Sequence, residues 1–141
     1  MVGPFDLERF IDAQNPVFDQ VRLELRRGRK TGHWMWFVFP QIEGLGHSAM
    51  AAKFAIGSRS EAEAYALHPI LRPRLDECTA LLNAVEGRSI RQILGSPDDL
   101  KFRSCMTLFA QVSACNRLFV DAVGKYFGGE FDALTLARLE K

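Results

Sequence analysis

An all-α fold, one helical domain spanning residues 1–141 and built of about seven or eight short helices, is predicted by three observations. Helix start and stop residues recur from end to end of the chain, whereas strand punctuation is nearly absent. The one segment that suits a buried strand, Trp34 to Phe39, finds no second strand to pair with. A lone strand would leave its backbone groups without a ladder, so helix is the better reading there.

Asp6 is positioned to cap a short first helix carrying Leu7, Phe10 and Ile11 on one face, and Asn15-Pro16 interrupts it because a residue before proline avoids the helical region. A second helix restarts at Pro16. Phe18, Val21 and Leu25 recur along it at helical spacing, and Gly28 fits the left-handed stop just past its end. After the Trp34 to Phe39 element, Ser48 caps a helix through Phe54 that ends at Gly57. Ser60 and Glu63 have capping-box spacing for a helix to Leu67.

Beyond His68-Pro69, Pro73 is acceptable in a first turn, and Leu75, Cys78, Thr79, Leu82 and Val85 follow at three- and four-residue steps until Gly87. Ser89 caps Ile90 to Leu94, stopped by Gly95. Ser96-Pro97-Asp98-Asp99 then supplies a cap, a first-turn proline and two acids at the positive end of a helix. Phe102, Cys105, Met106, Phe109 and Val112 give that helix a wide apolar face. The next carries Phe119, Ala122, Val123, Tyr126 and Phe127 before Gly128-Gly129, and a last short helix runs from about Asp132 to the end.

Composition excludes several roles. With 48% hydrophobic and 25% charged residues the chain has a packed domain's balance, not that of a disordered segment. A net charge of +1, from 18 basic and 17 acidic residues, gives no overall field to gather nucleic acid or an anionic membrane, and neither is expected as a partner. The local exception is Arg26-Arg27-Gly28-Arg29-Lys30, preceded by Arg22. It reads as a solvated helix end complementing the helix dipole, or alternatively as an anion site.

Three cysteines, Cys78, Cys105 and Cys115, form no C-x-x-C pair and with the three histidines show no zinc spacing, so no metal or other cofactor is expected. They read as core thiols in a reducing compartment. Met1 to Phe10 carries acids and no apolar h-region, and the longest apolar run is far shorter than the ~20 residues of a membrane helix; a cytoplasmic protein is expected.

The residues that stand out for chemistry are His33-Trp34-Met35-Trp36-Phe37-Val38-Phe39-Pro40-Gln41, Gly44-Leu45-Gly46-His47-Ser48, and Lys101-Phe102-Arg103-Ser104. Together with Glu61-Ala62, Ala64-Tyr65 and His68-Pro69, their order resembles the bacterial domain of unknown function 1810, over nearly the whole chain from Asp6-Leu7 to Lys125-Tyr126-Phe127. Two positions depart from the family pattern: Thr31, where serine is commoner, and Arg72-Pro73, where glycine usually follows His-Pro-x-Leu. The resemblance implies a mainly helical, single-domain, soluble protein of no established activity, and supplies no catalytic residues. The label calpastatin-like, often attached to the family, sits poorly with this composition, because calpastatin is a disordered repeat protein.

Each standout segment has two readings. Gly44, Gly46 and Ser48 ahead of a helix suit either a capped turn or a loop whose amides and hydroxyl bind phosphate or carboxylate oxygens. Trp34 and Trp36 suit a core or a wall that stacks on a planar ring, with His33 and Gln41 as polar contacts and His33 as a proton-transfer group. Lys101, Arg103 and Ser104 suit an anion clamp if Arg103 lies beside the His33 segment, or a surface where Arg103 pairs with Asp99 at i,i+4. Glu43, Asp98 and Asp99 could act as acid or base. No nucleophile elbow or H-E-x-x-H is present, and no catalytic pair emerges.

The leading expectation is a small-molecule binding protein whose ligand joins an aromatic ring to an anionic group, as nucleotides do. Its enzymatic version is metal-independent hydrolysis with His33 or a nearby acid as base. It requires Trp36, Ser48 and Arg103 to meet. The alternative is a protein-interaction module without catalytic activity, in which Arg22 to Lys30 and exposed aromatics contact a partner. The sequence does not determine the oligomeric state.

Overall fold

The computed structural model describes residues 5–140. Ten helices follow one another: α1 (Glu8–Gln14), α2 (Phe18–Arg27), α3 (Met35–Val38), α4 (Ala49–Phe54), α5 (Arg59–Leu67), α6 (Leu71–Asn83), α7 (Ile90–Leu94), α8 (Asp98–Val112), α9 (Arg117–Phe127) and α10 (Ala133–Leu139). The all-α class holds. The count exceeds seven or eight because pieces as short as α3 and α7 stand as separate elements. Among the described residues extended pairing is confined to a parallel bridge between Ile42 and Ile56.

Local capping explains most of the boundaries. The Ser48 hydroxyl accepts from Ala51 N–H at 3.0 Å, and Ser89 and Gln92 exchange the two bonds of a capping box at 3.1 and 2.8 Å. Such a cap is worth about 1 kcal/mol. Gly28, at φ +72°, ends α2 in the left-handed conformation, as its position in the sequence requires. Several boundaries differ from expectation: α2 starts at Phe18 and not at Pro16, and α6 ends at Asn83, before Val85 and Gly87. Asp6 caps nothing, since Leu7 precedes α1 without a side-chain cap. The cap of α5 is Ser58, accepting from Glu61 N–H at 3.1 Å, so Ser60 lies within the helix. Ser96 likewise gives way to Pro97 at the start of α8. Helix α4 stops at Phe54, short of Gly57.

The core is assembled around α8, which packs against α5, α7, α9 and α10 and buries Phe102 and every residue from Ser104 to Ala110. One aromatic chain runs Phe54, Phe10, Tyr65, Phe109, Phe119 with ring centroids 5.1–6.1 Å apart. A second joins Phe39 edge-on to Phe102 at 5.0 Å and continues to Tyr126 and Phe127. Each such pair adds about 0.5–1.5 kcal/mol beyond the area it buries. Cys78 and Cys105 are buried among these residues, and desolvation pushes the Cys78 thiol up to about 12. Cys115 is exposed, against the expectation that all three thiols pack in the core.

Two fastenings are polar. Arg9 donates to the carbonyls of Lys53 and Ala55 at 2.9 and 2.8 Å and pairs with the buried Glu61 at 3.0 Å, tying α1 to the end of α4. Helix α10 sits on α8 through Asp132, whose carboxylate accepts from Ser104 Oγ at 3.0 Å and Thr135 N–H at 3.1 Å while its own N–H donates to Thr107 Oγ1 at 2.9 Å. Thr135 is the one residue of α10 that is fully buried.

Candidate functional site

The aromatic run that dominates the sequence folds as a single turn, α3, too short to stand alone. Tertiary hydrogen bonds hold it at both ends. At its C-terminal end the buried Gln14 donates to Phe37 O at 2.7 Å. At its N-terminal end the Glu24 carboxylate, only 2% exposed, accepts from Thr31 N–H, Gly32 N–H and Trp34 Nε1–H at 2.8–2.9 Å through one oxygen. Its other oxygen accepts from Gln20 at 3.0 Å. Burial acts to raise the Glu24 pKa, but the bonds from Gly32, Thr31, Gln20 and Trp34 outweigh it and hold the carboxyl at about 2. Glu24 was not singled out from sequence, where a mid-helix glutamate resembles any solvated one.

This anchoring separates the two tryptophans. Trp34, 2% exposed, belongs to the core, with its indole N–H spent on Glu24. Trp36 is half-buried and faces a pocket of ≈ 220 Å³. The pocket is lined by Met35, Trp36 and Phe39, by residues 41–44 and Gly46 of the following loop, by α4 and Ala55, and by Lys101 of α8. The neck of the 43–55 excursion is pinned by Glu43 N–H to Ile56 O and Ile56 N–H to Gln41 O, both at 2.8 Å, so the wall carrying Gln41 to Glu43 is held in place.

The Lys101 ammonium lies 5.4 Å from the Trp36 ring centroid. Its acidic neighbour Asp98 is 3.7 Å away, beyond hydrogen-bond distance, and Asp98 is already engaged at 2.9 Å by Lys30. Trp36 Nε1 is buried with no acceptor among the described residues. Gly44, at φ +98°, lies under the Arg138 guanidinium, which a Cβ at that position would strike, and Arg138 donates to Gly44 O at 3.4 Å. At Gly46 a Cβ would come within 2.7 Å of the Ala51 Cβ. Both glycines therefore permit close approach of the chain.

Of the ten residues expected to bind ligand, Trp36, Gln41, Gly44, Gly46 and Lys101 come together here. The others do not. His33 is exposed on the loop before α3, and Ser48 spends its hydroxyl capping α4. Arg103 pairs neither with the His33 segment nor with Asp99: it donates to Glu130 O at 2.8 Å and Phe131 O at 3.3 Å, and lies over Phe127. Ser104 is engaged with Asp132. The meeting of Trp36, Ser48 and Arg103 is not made, so the site in the form that required all three is lost; Lys101, not Arg103, is the cation beside Trp36. Sequence reading also passed over Met35, Phe39 and the α4 alanines of the wall, whose apolar character gave no sign of it.

Among the candidate acids, Glu43 lines the pocket, whereas Asp98 serves Lys30. The basic run divides: Arg26 and Arg27 end α2 in solvent, and Lys30 is drawn in against Asp98 and the Trp34 ring. Among the described residues no cluster of His, Cys, Asp and Glu has the arrangement to hold a metal ion, and no helix is long and apolar enough to cross a membrane.

Residues 4–139 match the family described as Protein of unknown function (DUF1810). The chain is also similar to the conserved hypothetical protein Rv1873 from Mycobacterium tuberculosis, known from a crystal structure: identity is 55%, coverage 99% of each chain, and TM-score 0.97. No curated protein matches the sequence.

Proposed function

The chain belongs to the DUF1810 family, and we propose that this protein binds a small molecule joining a planar ring to an anionic group, in the pocket between α3, α4 and α8. The observation that carries the reading is the convergence of Trp36 and Lys101, from separate helices, on one cavity edged by a glycine loop. Trp36 offers an aromatic face, and Lys101 offers a charge that Asp98 only partly balances. A hydrogen bond to a charged group is worth about 1.5–3 kcal/mol, enough to set ligand choice.

A turnover reaction in this pocket would draw on Glu43, the acid that lines it, and not on His33, which lies outside. The protein-interaction alternative has less support. It calls on exposed aromatics, and none of the described aromatic side chains is exposed; the large apolar residues that are, such as Leu67 and Leu134, fall on different helices. A reducing cytoplasm suits three free thiols.

Thermal-shift screening against nucleotides and aryl carboxylates tests the reading, because a ligand at a hundred times its Kd adds about 2.7 kcal/mol to the folded state. A stabilising ligand is expected, and Lys101→Met or Trp36→Ala should weaken it at least about tenfold, while Arg103→Ala leaves it unchanged. Equal binding by wild type, Lys101→Met and Trp36→Ala would refute the assignment.

A further inference from the structure

Next to the Trp36 pocket lies a second cavity of ≈ 230 Å³, lined by Ser58, Arg59 and Arg138 and sharing Ile42 and Glu43 with the first. Either cavity alone is smaller than the roughly 300–1,000 Å³ of small-molecule sites, and the two together fall within it. Resting on the binding reading above, we infer that they form one bipartite site, in which a ring occupies the Trp36 pocket and a phosphate-bearing arm crosses Glu43 to reach Arg59 and Arg138.

The charges support a strongly anionic arm. Arg138 makes no ion pair among the described residues, and its one hydrogen bond, to Gly44 O, is long at 3.4 Å. It is positioned by lying flat on a glycine and not by a carboxylate. Arg59 is held as loosely, 3.9 Å from Glu63 and 3.4 Å from Gln111 O. Two guanidinium groups therefore keep most of their donors free beside one cavity, against the single carboxylate of Glu43. Glu63, 3.9 Å from Arg59, is half exposed and lies outside the lining, and Glu61 is buried and committed to Arg9 and to Gly57 N–H at 2.7 Å. A guanidinium fork matches phosphate in a bidentate manner, and a dianion is the group for which a net positive pair outweighs repulsion from Glu43. Lys101 then serves the part of the ligand nearest the ring, and the arginines its terminal phosphate.

Adenosine and adenosine 5′-monophosphate separate the two halves of the site. By isothermal titration the wild type should bind the monophosphate at least about tenfold more tightly than the nucleoside. Arg138→Met should reduce that ratio towards one without altering nucleoside affinity, Arg59→Met should reduce it partly, and Glu43→Gln should increase it. Arg138→Lys, which keeps the charge and loses the fork, should recover part of the ratio, showing that a folding defect is not the cause. A ratio unchanged by both arginine variants but lost in Lys101→Met would overturn the bipartite site and leave the Trp36 pocket as the whole binding site. Failure of the wild type to bind either compound would remove both readings for nucleotides.

Discussion

Glu24→Ala should destabilise the protein by about 3 kcal/mol, since it leaves the buried indole N–H of Trp34 and the part-buried N–H groups of Thr31 and Gly32 without their acceptor. That is a large share of the roughly 5–15 kcal/mol by which a domain is usually stable. Glu24→Gln retains an oxygen and should cost less. Urea unfolding at neutral pH gives the comparison directly. The carboxyl titrates near 4.5 when unfolded and at about 2 when folded, so its contribution is complete above pH 4.5 and is lost as pH falls towards 2. Integrated over that window it amounts to roughly 3 kcal/mol. The gap between wild type and Glu24→Ala should therefore be widest at neutral pH and narrow at pH 3. A gap independent of pH would show that the charge on Glu24 contributes nothing.

Phe102→Ala should cost about 3–5 kcal/mol, the range for truncating a buried aromatic. Phe102 is fully buried and supports Phe39 edge-on at 5.0 Å, and Phe39 lines the Trp36 pocket. The substitution should lower the urea midpoint without changing the m-value, and weaken any ligand of the pocket besides. Leu134→Ala, on a side chain 66% exposed, should stay within about 0.5 kcal/mol of wild type. Equal effects from the two would contradict the placement of the core.

What was legible in the sequence was local. Ser48 and Ser89 cap helices in the structure because a cap needs only its own next three residues, and Gly28 stops α2 for a similarly short-range reason. Ser58 was missed in favour of Ser60 because both have a glutamate three residues on; what decides is Arg9, far away in sequence, which fixes Glu61. Glu24 was illegible for the same cause, its three donors arriving only when the chain doubles back after Gly28.

The grouping of Lys101 with Arg103 was an error that the sequence itself could have prevented. At 3.6 residues per turn, positions two apart point about 200° from each other, so a single helix cannot aim both at one ligand. With Phe102 and Cys105 inward, Lys101 and Arg103 must flank opposite edges of the buried stripe, and they do, one towards Trp36 and the other towards Phe127. Which edge meets a pocket is decided by α3 and α4, and no local pattern in α8 records it.

The attachment of α10 through Asp132 has a dynamic consequence. Since Thr135 is its only fully buried residue, releasing this helix uncovers little apolar surface, and the free energy of that release falls well below that of global unfolding. Amide hydrogens of α10 should accordingly exchange with solvent deuterium through local opening, orders of magnitude faster than those of α8, and slow when the Arg138 cavity is filled. The guanidinium that faces the second cavity is thus carried on a helix with little buried surface of its own, and a ligand in that cavity would lengthen the time the helix stays docked.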